Sequence, residues 1–245
     1  MRDYQKELEK RVAFIQRKLE ESHASGIVFG NSGGKDCALV GILCKKACEN
    51  TVGILLPCTS RRNYEEDLRD GTEVNETFGI ETRMIDMTPV RSALVGEVEK
   101  CTSLNPTALS NIAPRLRMTA LYAVAAAENR LVAGTGNRDE LYLGYYTKWG
   151  DGGSDFNPIA DLTVGEVYEF LAFLGAPMAV RTKAPSAALY EGQTDEADMG
   201  VTYAAVDRYL LQGEASEKDR AVIERYHARS EHKRRGVAFY SEEEL

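Results

Sequence analysis

Hydrophobic positions along this chain alternate between two rhythms. Over residues 3 to 21, Leu8, Val12, Ile15 and Leu19 recur at steps of four, three and four, which places them on one side of an amphipathic helix. The next apolar stretch, "GIVFG", is short and unbroken, as in a buried strand. Residues 36 to 49 return to a helical pattern, and "TVGILLP" reads as a second strand ended by Pro57. "NYEEDLRDGTEVNETFGI" reads as a helix weakened at Gly71 and stopped at Gly79. "ETRMIDM" is a third strand, and Pro89, at a favoured first helical position, opens a helix in "PVRSALVGEVEK". The Ala-rich run from Thr107 to Asn129 is mostly helix, with Pro114 expected to start or kink its main segment. "RLVAGTG" is the fourth strand.

Short apolar strands alternating with helices predict an α/β fold, a doubly wound parallel sheet flanked by helices in the Rossmann-like manner. Ligands of such sheets bind beyond the carboxyl ends of the strands. The turn "GNSGGKDC" after the first strand and "GTGN" after the fourth both lie there. Residues 145 to 158, "YYTKWGDGGSDFNP", are too rich in glycine for a helix. "TVGEVYEFLAFLG" is a helix capped by Thr163, with Glu166 at the capping-box spacing. "RTKAPSAALYEGQTDEADMG" is polar and reads as a mobile loop, and the remainder is helical to about Arg229. One domain over residues 1–245 is expected, with an N-terminal helix at 3–21 and a C-terminal helical extension at 199–245.

Composition narrows the function. A formal net charge of -8 argues against a broad nucleic-acid surface, which needs clustered Lys and Arg. The N-terminus is charged and has no apolar signal region, and no later run is long enough to span a bilayer, so the cytoplasm is the expected location. The 5 cysteines are odd in number, which disfavours a disulfide framework. Cys37, Cys44 and Cys48 have helical spacing and read as small core-facing residues.

The octet from Gly30 to Cys37 carries the first chemical signal. Gly33 and Gly34 allow a sharp turn and close approach to a ligand, and the following helix presents unpaired N–H groups to an anion. Ser32 adds a hydroxyl. Asp36 would repel a phosphate unless a cation lay between them, which suggests Mg²⁺. The pattern is neither a Walker loop nor G-x-G-x-x-G. It resembles the S-G-G-x-D-S loop of the ATP pyrophosphatases, whose adenine nucleotide alpha hydrolase-like fold grips the pyrophosphate end of ATP. Cys37 stands where that family usually has Ser, and Lys35 fills the variable position.

Two later segments, "NIAPRLRMTALYAVAAAENRLVAGTGNRDELYLGYYTKWGDGGSDFNPIADLT" and "KAPSAALYEGQTDEADMGVTYAAVDRYL", resemble the core of the NAD⁺ synthases. The resemblance implies ATP-dependent amidation of deamido-NAD⁺ by ammonia through an adenylated carboxylate, with release of pyrophosphate and AMP. It also implies site residues. Asp36 and Glu140 match the metal-binding acids. Gly30, Ser32, Gly33, Gly34, Lys35, Cys37, Thr135, Lys183 and Thr194 fall at ATP-contacting positions, Lys183, Ser186 and Thr194 lying in a loop that closes over the nucleotide. Asn111, Arg115, Tyr146, Lys148, His232 and Lys233 match contacts to deamido-NAD⁺. Asp151 matches the ammonia-site acid, with Asp155 a nearby alternative. Val164 replaces a lysine that contacts phosphate in many relatives, and Lys35 is expected to supply the missing charge. No glutaminase segment fits, so free ammonia is the expected donor, and a homodimer is implied. Two rivals stay open on the sequence: another adenylating ATP pyrophosphatase, such as one that modifies tRNA, and a nucleotide sensor that no longer turns over.

Overall fold

The computed structural model describes residues 2–60, 64–183 and 194–240. Four parallel strands, β1 (Gly26–Asn31), β2 (Thr51–Leu55), β3 (Glu81–Met84) and β4 (Arg130–Ala133), form one sheet in the order β3-β2-β1-β4. Helix α1 (Tyr4–Ser22) precedes β1, α2 (Lys35–Ala47) joins β1 to β2, and α3 (Glu66–Phe78) joins β2 to β3. Helices α4 (Thr88–Val98) and α5 (Pro106–Glu128) then carry the chain back across the sheet to β4. The strand order therefore reverses between β1 and β4, the switch point of a doubly wound sheet.

The period of two in β1 explains the layers. Ile27 and Phe29 are buried with Leu39, Ile42 and Leu43 of α2, while Val28 is buried with Val52, Ile54 and Val132 against Leu121 and Ala125 of α5. Helix α1 covers the first of these cores through Ile15, with Leu8 and Leu19 at its margin. Arg11, on the polar side of the sequence pattern, is nevertheless buried, because Asp161 and Glu7 each accept from its guanidinium at 2.7 Å.

After β4 come α6 (Arg138–Leu143), α7 (Val164–Phe173), α8 (Met178–Thr182), α9 (Asp195–Met199), α10 (Tyr203–Gln212), α11 (Glu217–Arg229) and the short α12 (Glu231–Arg234). A third core of Leu143, Val164, Met199, Tyr203, Val206 and Ile223 ties these C-terminal helices to α6 and α7.

Three expectations change. Pro114 does not start the main helix: α5 begins at Pro106, where the Asn105 carboxamide caps the Ala108 N–H at 2.8 Å, and it continues through Pro114. Burial of Leu121 and Ala125 against the sheet holds that helix together despite the proline. The glycine-rich stretch after α6 is not wholly irregular, since Phe156 bridges Ala133 in parallel and so adds a rung beside β4. The polar loop expected over residues 181 to 200 has helical turns at both described ends, in α8 and α9. Among the described residues, no helix is long and apolar enough to cross a membrane.

Candidate active site

The turn after β1 is set by close packing. Gly33 has φ +67, and a Cβ there would lie 2.4 Å from the carbonyl oxygen of Asp67. The buried Asn31 carboxamide holds the turn: its Oδ1 accepts from Gly33 N at 3.0 Å, and its Nδ2 donates to the Gly71 carbonyl and to Asn75 Oδ1, each at 3.0 Å. Cys37 is buried beneath the turn. Its Sγ accepts from Ser32 N at 3.3 Å and donates to the Gly34 carbonyl at 3.1 Å, so the thiol braces the loop. Gly34 is the N-cap of α2 and offers no side-chain cap, which leaves the helix N-terminus open to an anion.

The loop after β4 meets this turn at the switch point. Asn137 is fully buried and caps α6: its Oδ1 accepts from Glu140 N at 3.0 Å, while Glu140 Oε2 accepts from Asn137 N at 3.1 Å. The same carboxamide donates to Asp36 Oδ1 at 3.1 Å, so one side chain fixes the Asp36 and Glu140 loops to each other. Burial, reinforced by the Asp36 carboxylate, pushes the Glu140 carboxyl well above the usual carboxylate range. Lys35 turns inward and is 5% exposed, with Nζ 2.7 Å from Asp36 Oδ2. Burial works against its charge, but Asp36 and Glu140 outweigh burial and hold the ammonium protonated.

A cavity of about 1060 Å³ opens over these groups. Gly30, Ser32, Gly34, Lys35, Asp36, Cys37, Thr135 and Glu140 line its end at the β1 and β4 turns, and Asn111, Tyr146, Asp151 and Lys233 are among the residues that line the remainder. Asn111 Oδ1 accepts from the Thr147 hydroxyl at 2.7 Å, which joins α5 to the glycine-rich loop. Asp151 Oδ1 accepts from Thr147 N at 3.0 Å; the residue is exposed, and partial desolvation by its neighbours pushes its carboxyl upward. Asp155 is used elsewhere: its carboxylate accepts from Tyr122 OH at 3.0 Å and from Val132 N at 2.7 Å, pinning the loop to the sheet.

The C-terminal turn docks on the Asp151 loop. Lys233 Nζ donates to the carbonyls of Gly144 at 2.6 Å and Tyr146 at 2.5 Å, and burial pulls its pKa down against the pull of Asp151. Lys148 Nζ donates to the His232 carbonyl at 2.5 Å. The His232 side chain is exposed and does not line the cavity, and neither does Arg115, whose Nε reaches the Lys148 carbonyl at 3.3 Å. Lys148 and Gly33 also lie outside the lining.

Lys183 lines the cavity from the root of the polar segment. Its Nζ is 2.8 Å from Asp67 Oδ1 and 2.8 Å from Asp70 Oδ2, and 3.4 Å from the Gly33 carbonyl. Thr194 caps α9 at an exposed position and is not itself part of the cavity lining, and Ser186 lies outside the described residues. Val164 is buried in the third core. Its N–H donates to Asp139 Oδ2 at 2.7 Å, and the next N–H, Gly165, donates to Asp207 Oδ2 at 2.9 Å.

Sequence reading missed Arg117 and Asp195, which also line the cavity, and Asn137, which joins the two loops. Asn137 had a readable signal, the N-x-x-E capping box in "NRDE". Arg117 donates Nε to the Leu56 carbonyl at 2.9 Å, and nothing in its helical neighbourhood distinguishes it from Arg115.

The sequence model of the family described as NAD synthase matches residues 7–244. The chain is 46% identical over 236 residues to the NH(3)-dependent NAD(+) synthetase of Carboxydothermus hydrogenoformans, an alignment covering 95% of this chain and 96% of that protein. It is 40% identical over 239 residues to the NH(3)-dependent NAD(+) synthetase of Archaeoglobus fulgidus, covering 95% of each. Among solved structures it superposes on the NMN synthetase of Francisella tularensis with a TM-score of 0.93 at 35% identity, over 99% of this chain and 100% of that one. The NH3-dependent NAD synthetase of Campylobacter jejuni, solved with the nitrate ion, superposes with a TM-score of 0.78 at 30% identity, over 98% of this chain and 100% of that one.

Proposed function

The chain belongs to the NAD synthase family, and from that premise we propose that it makes NAD⁺ by amidating the nicotinate carboxylate of deamido-NAD⁺ with ammonia, at the expense of ATP. The observation that carries this reading is the Asn137 carboxamide, which locks the open N-terminus of α2 and the acids Asp36 and Glu140 around one end of a single cavity. The α2 N-terminus and the Ser32 hydroxyl receive the leaving pyrophosphate. Asp36 and Glu140 fit Mg²⁺: two hard carboxylates leave room for phosphate oxygens and water, the ligand set this ion favours. When bound, the ion neutralises charge that builds on the departing pyrophosphate. Lys183, beside the Gly33 carbonyl, is placed to exchange its carboxylate partners for nucleotide phosphate. Asp151, made more basic than an ordinary carboxylate by desolvation from its neighbours, takes the proton that the attacking ammonia must lose.

A homodimer has support in α4, none of whose residues is buried although Val90 and Leu94 are apolar and exposed. The 5 cysteines are all free, as suits a reducing cytoplasm. Incubation with ATP, Mg²⁺, ammonium and deamido-NAD⁺ should yield NAD⁺, AMP and pyrophosphate in equal amounts. Nucleotide binding without product would instead mark a sensor.

A second reading is favoured by the TM-score of 0.93 to an NMN synthetase. On it, the preferred acceptor is the deamido mononucleotide, with the same adenylation chemistry. Side-by-side kcat/KM values for the two acceptors separate the readings, and a preference of tenfold or more for the mononucleotide, about 1.4 kcal/mol, would establish the second.

A further inference from the structure

Asp36 has no idle oxygen: Oδ1 accepts from Asn137 and Oδ2 from the Lys35 ammonium. Lys35 itself is buried in the cavity wall. Its Nζ lies 5.9 Å from the Tyr168 ring centre and 5.6 Å from that of Tyr203, and Glu140 adds its field. Tyr203 in turn donates to Asp195 Oδ2 at 3.2 Å. A lysine head pointed to water keeps its hydration and is not desolvated. Here it takes an inward path that places a full positive charge beside Asp36.

We propose that Lys35 is an internal counter-ion for the Asp36–Glu140 pair, so that the divalent ion joins the protein together with nucleotide rather than ahead of it. The inference rests on the reading of that pair as the metal site. Its physical basis is charge balance in a poorly hydrated place. A partly buried carboxylate is stabilised by a paired cation, and the Lys35 ammonium supplies one. A divalent ion reaching Asp36 alone must break that ion pair and strand a buried ammonium between two rings. When nucleotide arrives, its phosphates give the ammonium a new anionic partner, and they also supply the oxygen ligands that the ion prefers. The exchange then leaves no charge unpaired.

The test is a Mn²⁺ titration of the full-length protein, following the free-ion signal by electron paramagnetic resonance. It is run without nucleotide and again with a non-hydrolysable ATP analogue. Without nucleotide, Lys35→Met should bind Mn²⁺ at least about tenfold more tightly than the wild type, because one nearby positive charge has gone, and Lys35→Arg should stay weak. With the analogue, the gap between Lys35→Met and the wild type should close. Lys35→Gln, neutral but still able to donate to Asp36, should shift affinity in the same direction and serves if the Met variant fails to fold. Equal affinity of the wild type and both neutral variants without nucleotide, with Glu140→Gln still weakening binding, would overturn the counter-ion role and leave the metal site standing. If Glu140→Gln bound Mn²⁺ as the wild type does in the presence of the analogue, the metal-site reading would fall and the counter-ion role with it.

Discussion

Replacing Gly71 by alanine should destabilise the protein, although the same change inside an ordinary helix stabilises it. Helix propensity alone favours alanine by about 1 kcal/mol. In α3, however, the new Cβ would lie 2.9 Å from Asn31 Oδ1 and 2.8 Å from Leu55 Cδ2. The leucine tip can rotate aside. Asn31 cannot move without lengthening its bonds to Gly71, Asn75 and Gly33, all now at 3.0 Å. Each buried polar group left unpaired costs about 1–3 kcal/mol, and overpacking adds a similar amount. Set against the propensity gain, the net loss is about 1–5 kcal/mol, or roughly 3–15 °C in Tm for a chain of this size. Because Asn31 also holds the Gly33 N–H, KM for ATP should rise severalfold. Gly96 provides the control: it lies inside α4, and a Cβ added there would meet nothing within 4 Å, so Gly96→Ala should raise stability by about 0.5–1 kcal/mol. Thermal unfolding and ATP saturation curves of the two variants decide the matter. A Gly71→Ala protein as stable as Gly96→Ala would refute the idea that Asn31 is a rigid link between α3 and the phosphate turn.

Asp139 and Asp207 cap successive N–H groups of α7, and burial followed by the Asp207 charge pushes the Asp139 carboxyl up to about 8. The folded state therefore binds more protons than the unfolded chain between the ordinary carboxylate range and pH 8, and stability should fall as pH rises through that window, by up to about 1.4 kcal/mol per pH unit. Asp139→Asn should flatten this slope in urea titrations at pH 5 and pH 8. Asp151→Asn should lower kcat for amide formation about 100-fold or more while leaving acceptor-dependent release of pyrophosphate nearly intact, as measured by quenched-flow separation of the two half-reactions. Lys183→Met removes one cation that Asp67 and Asp70 share, while Arg69 still donates to Asp70, so it should cost about 1 kcal/mol in unfolding free energy as well as weakening ATP binding.

Much of the scaffold was legible because one rule governed it locally. The β1–turn–α2 unit combined an unbroken apolar run, two glycines and a helical pattern, and the capping box at Thr163 and Glu166 is present as read. The cavity gathers Asp36, Glu140, Thr135, Asn111 and Asp151, which come from separate stretches of the chain. What could not be read depended on partners distant in sequence. Arg11 is buried because Asp161, 150 positions away, joins Glu7 in accepting from it. Lys35 turns inward because α6 brings Glu140 and α10 brings Tyr203 to it. Arg115 and Arg117 differ by two positions on one helix, so their opposite fates follow from which face of α5 meets the sheet. Asp151 and Asp155 look alike in sequence, and only the bridge between Phe156 and Ala133 commits the second to structure.

A cavity that activates a carboxylate as its adenylate must pass one of the acceptor's own oxygens to AMP. The most direct measurement labels both carboxylate oxygens of the acceptor with ¹⁸O and follows them through one turnover with ATP and ammonia by mass spectrometry. Adenylation should leave one heavy oxygen in the phosphate of AMP and one in the amide product, with pyrophosphate unlabelled. Unlabelled AMP, or ADP and labelled inorganic phosphate in its place, would contradict it.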